Sequence, residues 1–257
     1  MSLLPALLLS TGLAVLALWR RALTPDGTAL AWALCIVITA VGGGTAIAVL
    51  AVTLLVTAAA DRFAGGRADP TGVRRKSGSR DAARVACNVG VASGAVLGFA
   101  LTGSAAFLAG FGGAMAESLA DSLASKLGPL SRRQPRDIWS RAPVTAGLSG
   151  GVSLPGTIAE LLGAAIIAAV CALGYHRPQL LPVVFAAGFL GAVFDSILGS
   201  RAQVKYRCCV CGTITERETH CAAPTFRLSG AAWVSNDTVN LLSNLFSALL
   251  AFGIASI

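Results

Sequence analysis

Four acidic side chains stand where an apolar chain is expected to carry none: Glu117, Asp121, Glu160 and Asp195. Each falls inside or at the end of a long uncharged run, where an ionised group is costly unless it is paired or metal-bound. Glu117 and Asp121 are four residues apart, which places them on one face of a helix. Asp195 lies in Phe194-Asp195-Ser196-Ile197-Leu198-Gly199, and Glu160 one turn into its own helix. All four are expected at similar depth, just inside one membrane boundary. Separate ion pairs with snorkelling Lys or Arg would account for them singly. A shared divalent cation would account for them together.

Basic and polar residues complement these acids. Lys76, Arg80 and Arg84 follow i, i+4, i+8 spacing, with Asn88 in line, and are expected on one helix face. A positive anchor at the membrane surface would explain their charge but not their spacing. The segment from Ala142 to Thr157 holds Gly147, Gly150, Gly151 and Gly156 with Pro143 and Pro155, too broken for a regular helix. The free N–H groups around Gly150, Gly151 and Ser153, running into a helix N-terminus, would cradle phosphate. An ordinary connecting loop is the alternative. Carboxylates that hold magnesium and cations that clamp phosphate oxygens are the parts of phosphoryl transfer.

The cysteines divide into two groups. Cys35, Cys87 and Cys171 fall in apolar runs and read as small packing residues. Cys208-x-x-Cys211-Gly212 is a knuckle-like turn, followed by His220 and Cys221. In a reducing compartment that spacing favours zinc over a disulfide, with a structural role. Adjacent His220 and Cys221 are expected to have difficulty reaching one ion.

The elements that must position these residues are membrane helices. Of 257 residues, 55% are hydrophobic and 12% charged, against about 25% charged in a soluble domain. Mean hydropathy is +0.73, and the 29 glycines supply the small residues with which helices pack in lipid. The run Leu3 to Trp19 lacks a basic leader and is followed by Arg20 and Arg21 rather than a cleavage site, so it reads as a retained helix. The runs Gly27–Ala60 and Val85–Ala116 are too long for one crossing, and each breaks near its middle, at Gly42-Gly43-Gly44 and Thr102-Gly103-Ser104. The expectation is all-α: a polytopic transmembrane helical bundle of about eight helices near 3–19, 28–42, 45–61, 83–101, 105–126, 156–174, 179–200 and 236–257. Seven result if the first long run is one tilted helix. With the N-terminus outside, 19 of 20 basic residues fall on the cytoplasmic side and Arg177 alone outside. A single membrane domain over 1–257 then carries a basic cytoplasmic loop at 62–82, a Gly-rich one at 127–155 and one with the cysteines at 201–235.

Several segments together resemble an integral membrane family that includes human transmembrane protein 19 and the plant chloroplast phytyl-phosphate kinase. They are Lys76-Ser77-Gly78-Ser79-Arg80 with Arg84 and Asn88, Ala120-Asp121-Ser122-Leu123-Ala124-Ser125 with Gly128, and Gly147-Leu148-Ser149-Gly150-Gly151-Val152-Ser153. Asp195-Ser196-Ile197-Leu198-Gly199 with Gln203, and Asn236-Asp237-Thr238-Val239-Asn240, complete the set. The resemblance runs from about Ala60 to the C-terminus and is weaker before it. The pattern Asp-x-x-Ala-Ser-x-x-Gly followed by Thr-x-Gly is also similar to CTP-dependent dolichol and phytol kinases and CDP-diacylglycerol synthases.

The resemblance implies a membrane kinase that transfers a phosphoryl group from a nucleoside triphosphate, CTP, to an isoprenyl monophosphate. Magnesium would sit on Asp121 and Asp195, with Glu117 near, and Lys76, Arg80 and Arg84 would contact phosphates. Asn236, Asp237 and Asn240 would line the site. Lys126 stands where the family carries Glu, which removes one metal ligand and offers a cation to phosphate instead. A prenol kinase, a cytidylyltransferase of lipid metabolism, and a transporter or flippase for an anionic lipid are the alternatives. The near absence of charge towards the outer side argues against transport. The implied location is a prokaryotic plasma membrane with the site on the cytoplasmic face, and no partner role for nucleic acid.

Overall fold

The computed structural model describes residues 3–65, 73 and 81–257. Among them run α1 (Leu3–Trp19), α2 (Pro25–Ala64), α3 (Ala82–Thr102), α4 (Ala106–Leu127), α5 (Leu154–Gly174), α6 (Leu180–Arg201) and α7 (Asn236–Ala255). Five of the seven are long and apolar enough to cross a membrane, and α1 is a shorter apolar helix. The helical membrane bundle is therefore as expected from the sequence.

The loops add strands that an all-α reading lacks. In the Gly-rich segment β1 (Arg136–Asp137) pairs with β2 (Gly151–Val152). In the cysteine loop β3 (Lys205–Cys208), β4 (Ile214–Thr215), β5 (Thr219–His220) and β6 (Ala223–Ser229) form an antiparallel sheet in the order β4-β3-β6-β5. Most of these strands are too short to show a period-two pattern in sequence.

The 40 residues of α2 would stretch about 60 Å if straight, twice a hydrocarbon core. They are not straight, because Gly43 leaves helical geometry at φ 69 and ψ −159. Asp26, near the start, accepts a hydrogen bond from Ala82 N at the head of α3 (3.1 Å). Asp61, near the end, pairs with Lys126 in the last turn of α4. Those two places are the same end of the bundle, since α3 and α4 are joined by a tight turn at left-handed Gly103. Leu23 and Leu54, and Cys35 and Leu50, also line one common small cavity. The chain thus doubles back at Gly43, giving eight helical segments among the described residues.

At the centre stands α4, buried almost continuously from Ala106 to Leu123 and packed by α3, α5, α6 and α7. Lipid supplies no hydrophobic drive between helices, so close van der Waals approach must hold them. A Cβ added to Gly113 would lie 2.7 Å from the Ser247 carbonyl oxygen, and one at Gly163 2.8 Å from Ala120 backbone. These helices touch at backbone distance. In α7 the usual amphipathic order is inverted. Leu241, Leu242, Leu245 and Leu249 face outward, while Asn240, Ser243, Asn244 and Ser247 are buried.

Among the described residues, the loop Arg and Lys side chains gather at one end, the basic end, with Arg177 at the other. Trp19, Trp139 and Trp233 are exposed around the basic end, where amphipathic indoles favour the membrane–water boundary.

Candidate active site

At the basic end the helices part around a cavity of about 910 Å³. Its wall draws residues from almost the whole chain. Arg84 and Asn88 come from α3, Asp121 and Lys126 from α4, Glu160 from α5 and Asp195 from α6. Gly150, Gly151 and Ser153 come from the Gly-rich segment, and Asn236, Asp237 and Asn240 from the first turns of α7. Arg20, Arg21, Arg62 and Arg217 add positive charge. Most of the residues that the motifs single out therefore share one space. Lys76 and Arg80 lie outside the described residues. The helix of Arg84, α3, starts at Ala82, and Asp81 ahead of it is extended, its carboxylate capping Arg84 N at 3.0 Å.

Glu117 departs from the expectation of equal depth. It sits ten residues from the end of α4, about 15 Å along the axis, and is absent from the cavity wall. Ser243 joins it to the wall. Ser243 Oγ stands 2.7 Å from Glu117 Oε1, 3.1 Å from Asp195 Oδ2 and 3.1 Å from the Asn240 carbonyl. One hydroxyl proton serves only one of these acceptors. Glu117 Oε2 is buried without a hydrogen-bond partner among the described residues. The cluster therefore needs a further proton or cation to balance it. With its amide nitrogen turned towards the carboxylate, Asn240 donates to Asp195 Oδ2 at 3.2 Å and accepts from Asn236 Nδ2 at 3.3 Å. Ser118 ties the same layer to α3 and α7, 3.2 Å from Asn88 Oδ1 and 3.3 Å from Asn244 Oδ1.

The motif reading did not include Ser118, Ser243, Asn244 or Ser247. The available signal was Asn240, Ser243, Asn244 and Ser247 at i, i+3, i+4 and i+7, a polar stripe inside an apolar run. Asp61 was also missed, and it is the partner of Lys126. Asp237 Oδ1 lies 3.9 Å from Arg84 Nε, a second pair across the cavity mouth.

The Gly-rich segment is a hydrogen-bonded loop on the cavity wall. Gly151 N donates to Leu148 O at 3.1 Å, and Ser149 N to Glu216 Oε1 at 2.8 Å. Ser153 Oγ caps α5 through Gly156 N and donates to Gly128 O at 3.0 Å. Of the groups expected for phosphate, Gly151 N and Ser153 Oγ thus have protein partners. Gly150, at φ +84, brings the loop against Ser200, where a Cβ would meet backbone nitrogen at 2.5 Å.

A polar junction locks this loop to α6 and to the β3–β6 sheet. Asp137 Oδ1 accepts from Ser140 N (2.7 Å), Trp139 N (3.0 Å) and Ser200 Oγ (2.9 Å). Burial works to raise the Asp137 carboxyl, but these hydrogen bonds outweigh it and hold it below the usual range. Beside it, burial pushes the Lys205 ammonium down, opposed by the charges of Asp137 and Glu216.

Apart from the cavity, Cys208, Cys211, His220 and Cys221 converge with their ligand atoms all within 4.8 Å of one another. Adjacent His220 and Cys221 do reach one point, against expectation, because Cys221 and Ala222 turn the chain at φ 53 and 55. The carboxylates of the cavity form no comparable cluster of three among the described residues.

Fold and site together define a polytopic helical membrane protein with a cavity of mixed charge at one end of its bundle. The chain belongs to the family described as Integral membrane protein DUF92, which it matches over residues 8–248. It is similar to Protein PGR of Arabidopsis thaliana, 30% identical over an alignment of 210 residues that covers 71% of each chain. No solved structure matches it. The family resemblance carried by the motifs is thus borne out, and the match extends into α1, ahead of the segments that carried it.

Proposed function

We propose that this chain is a membrane-embedded phosphotransferase that passes a phosphoryl group from a nucleoside triphosphate, CTP by the motif resemblance, to an isoprenyl monophosphate. The observation that carries this reading is the wall of the large cavity, where Asp121, Asp195 and Glu160 face the same space as Arg84, Lys126 and Arg217. Bringing two phosphates together requires cations. Carboxylates beside phosphates repel them unless a divalent cation lies between.

The donor set fits magnesium. This hard cation takes one or two carboxylates and fills its remaining positions with phosphate oxygens and water, so a cluster of three is not required. Asp121 and Asp195 would hold it, and when bound it would neutralise phosphate oxygens. The chain's own residues do the rest. Arg84 presents a guanidinium to the phosphates, and Asp237 restrains its head. Asn240 and Ser243 hold the Asp195 carboxylate in orientation. The acceptor phosphate, with a second pKa near 6, is largely dianionic at neutral pH, so no strong general base is needed.

A second feature supports an amphiphilic acceptor. The α2 side of the cavity is apolar at Leu23, Leu54 and Ala58. Leu23 and Leu54 also border the small cavity of about 110 Å³, whose wall includes Leu13, Ala14, Leu50 and Val89. A phosphate head in the large space would place its first isoprenyl carbons towards the small one. Positive charge at this end suits the cytoplasmic face of a prokaryotic plasma membrane, where the nucleotide is found.

The test is conversion of prenyl monophosphate to diphosphate by purified protein with magnesium and CTP, beside prenol as acceptor and Asp121→Asn as control. Diphosphate from wild type and not from the variant is expected. No product from either acceptor would end the kinase reading, and phosphorylation of prenol alone would replace the acceptor. Flux of labelled lipid phosphate across proteoliposomes without nucleotide would move the assignment to transport.

A further inference from the structure

We propose that Cys208, Cys211, His220 and Cys221 bind one zinc ion, which staples the β3–β6 sheet and so holds Glu216 and Arg217 against the cavity. The site is independent of the reaction assigned to the cavity. Tetrahedral zinc, with Zn–S of about 2.3 Å and Zn–N of about 2.0 Å, sets its ligand atoms about 3.5–3.8 Å apart. Here His220 Nδ1 lies 3.5 Å from Cys211 Sγ and 3.3 Å from Cys221 Sγ, inside a quartet whose largest separation is within 4.8 Å. Three thiols and an imidazole are a soft donor set that selects zinc over magnesium or calcium. Binding displaces the three thiol protons.

The turn at Cys208 is built for a thiolate. Val210 N donates to Cys208 Sγ at 3.4 Å, and Gly212 N closes the turn on Cys208 O at 3.0 Å with Gly212 at φ +72. A disulfide would use two sulfurs and leave the third with the imidazole aimed at nothing.

The sheet also has little apolar core of its own. Its strands are two to seven residues long, and Val210, Phe226 and Leu228 are exposed rather than packed in a core. Elements this small depend on a metal or a disulfide for stability.

What the staple secures is the cavity rim. Just past the knuckle, Thr215 Oγ1 and Glu216 N both donate to Val73 O, at 2.8 and 2.9 Å. Glu216 Oε1 holds Ser149 N at 2.8 Å, and Glu216 and Arg217 line the cavity. One metal thereby fixes a β-turn region that ties Val73 and the Gly-rich loop together.

The experiment is elemental analysis of the full-length protein, purified in detergent under reducing conditions without added metal. One zinc per chain is expected, lost in Cys211→Ser and in Cys221→Ser but kept in Cys209→Ser and in Asp121→Asn. Cobalt added to zinc-depleted wild type, which requires no variant to fold, should give thiolate charge-transfer and tetrahedral ligand-field bands. Zinc-depleted protein should be cut by trypsin at Arg207 and Arg217 about tenfold faster. Wild type with native helical content but no zinc and no cobalt bands would overturn the site. Zinc undiminished in Cys208→Ser/Cys211→Ser would do the same. An unchanged cleavage rate after depletion would overturn the staple.

Discussion

Two groups of candidate ligating side chains stand among the described residues, assembled in opposite ways. Cys208, Cys211, His220 and Cys221 lie within 14 residues of sequence, and their donor atoms converge within 4.8 Å. Glu117, Asp195 and Ser243 come from α4, α6 and α7, and Asp195 faces, with Asp121, a space of about 910 Å³. The first cluster is local and soft, and its geometry follows from a knuckle and two left-handed residues. The second is hard and long-range, and exists only because helices pack at backbone contact. The comparison teaches that each should fail alone: damage to helix packing should spare the zinc, and loss of zinc should spare the carboxylate layer.

The most severe test of the cavity is Asp195→Asn or Asp121→Asn. On the proposed reading each lowers phosphoryl transfer by about 10²–10³-fold, with zinc content and thermal unfolding close to wild type. Equal rates would break the functional half of the comparison.

Packing should respond next. Gly113→Ala forces a Cβ to 2.7 Å from the Ser247 carbonyl and Gly163→Ala to 2.8 Å from Ala120 backbone. Each should cost about 1–3 kcal/mol of stability in detergent unfolding, since backbone cannot yield as a side chain can. Wild-type stability would remove the account of close approach.

Ser243→Ala leaves Glu117 and Asp195 without their shared donor and should cost about 1–3 kcal/mol. Ser243→Thr, which keeps the hydroxyl, should recover part of both stability and rate. A larger side chain that recovers neither would show that the site is limited by space rather than hydrogen bonding.

Acid tests the junction between the clusters. Asp137 is held below its usual pKa in the folded protein, so its contribution is present above about 3.9 and disappears as pH falls through the lower folded value. Asp137→Asn should flatten the acid limb of an unfolding profile and leave the profile near pH 7 nearly level in slope. An unchanged acid limb would show that the tether is not made in solution. The smallest effect is expected at Asp61→Asn. The Lys126–Asp61 pair is half open to solvent on the Asp61 side, so about 0.2–1 kcal/mol is at stake.

Much of the fold is legible in the residues alone. Long uncharged runs give the helices, since the lipid interior forbids charge, and the small-residue breaks at Gly43 and Gly103 mark two reversals. Asp121, Asp195, Asn236 and Asn240 stand out as polar groups in apolar surroundings. The β3–β6 sheet does not, because most of its strands are too short to carry a pattern. The start of α3 is obscured by the spacing of Lys76, Arg80 and Arg84, which suggests a helix running through Asp81. The capping carboxylate of Asp81 marks the start of α3 at Ala82. Ser243 is inconspicuous because a lone hydroxyl is cheap inside a helix and common in membrane spans.

What the sequence determined by itself is the membrane character, the gathering of charge at one end and the candidate ligating residues. These depend on composition and short spacings, which act before the chain is folded. Which of those residues meet was decided by tertiary structure. Glu117 sinks a layer below Asp121, Lys126 turns to Asp61, and the Ser149 N–H goes to Glu216 rather than to open space. Each outcome depends on how closely one helix or loop approaches another. That distance is set by small residues where elements touch, as at Gly113 against Ser247 and Gly163 against Ala120, and no single stretch of sequence contains it.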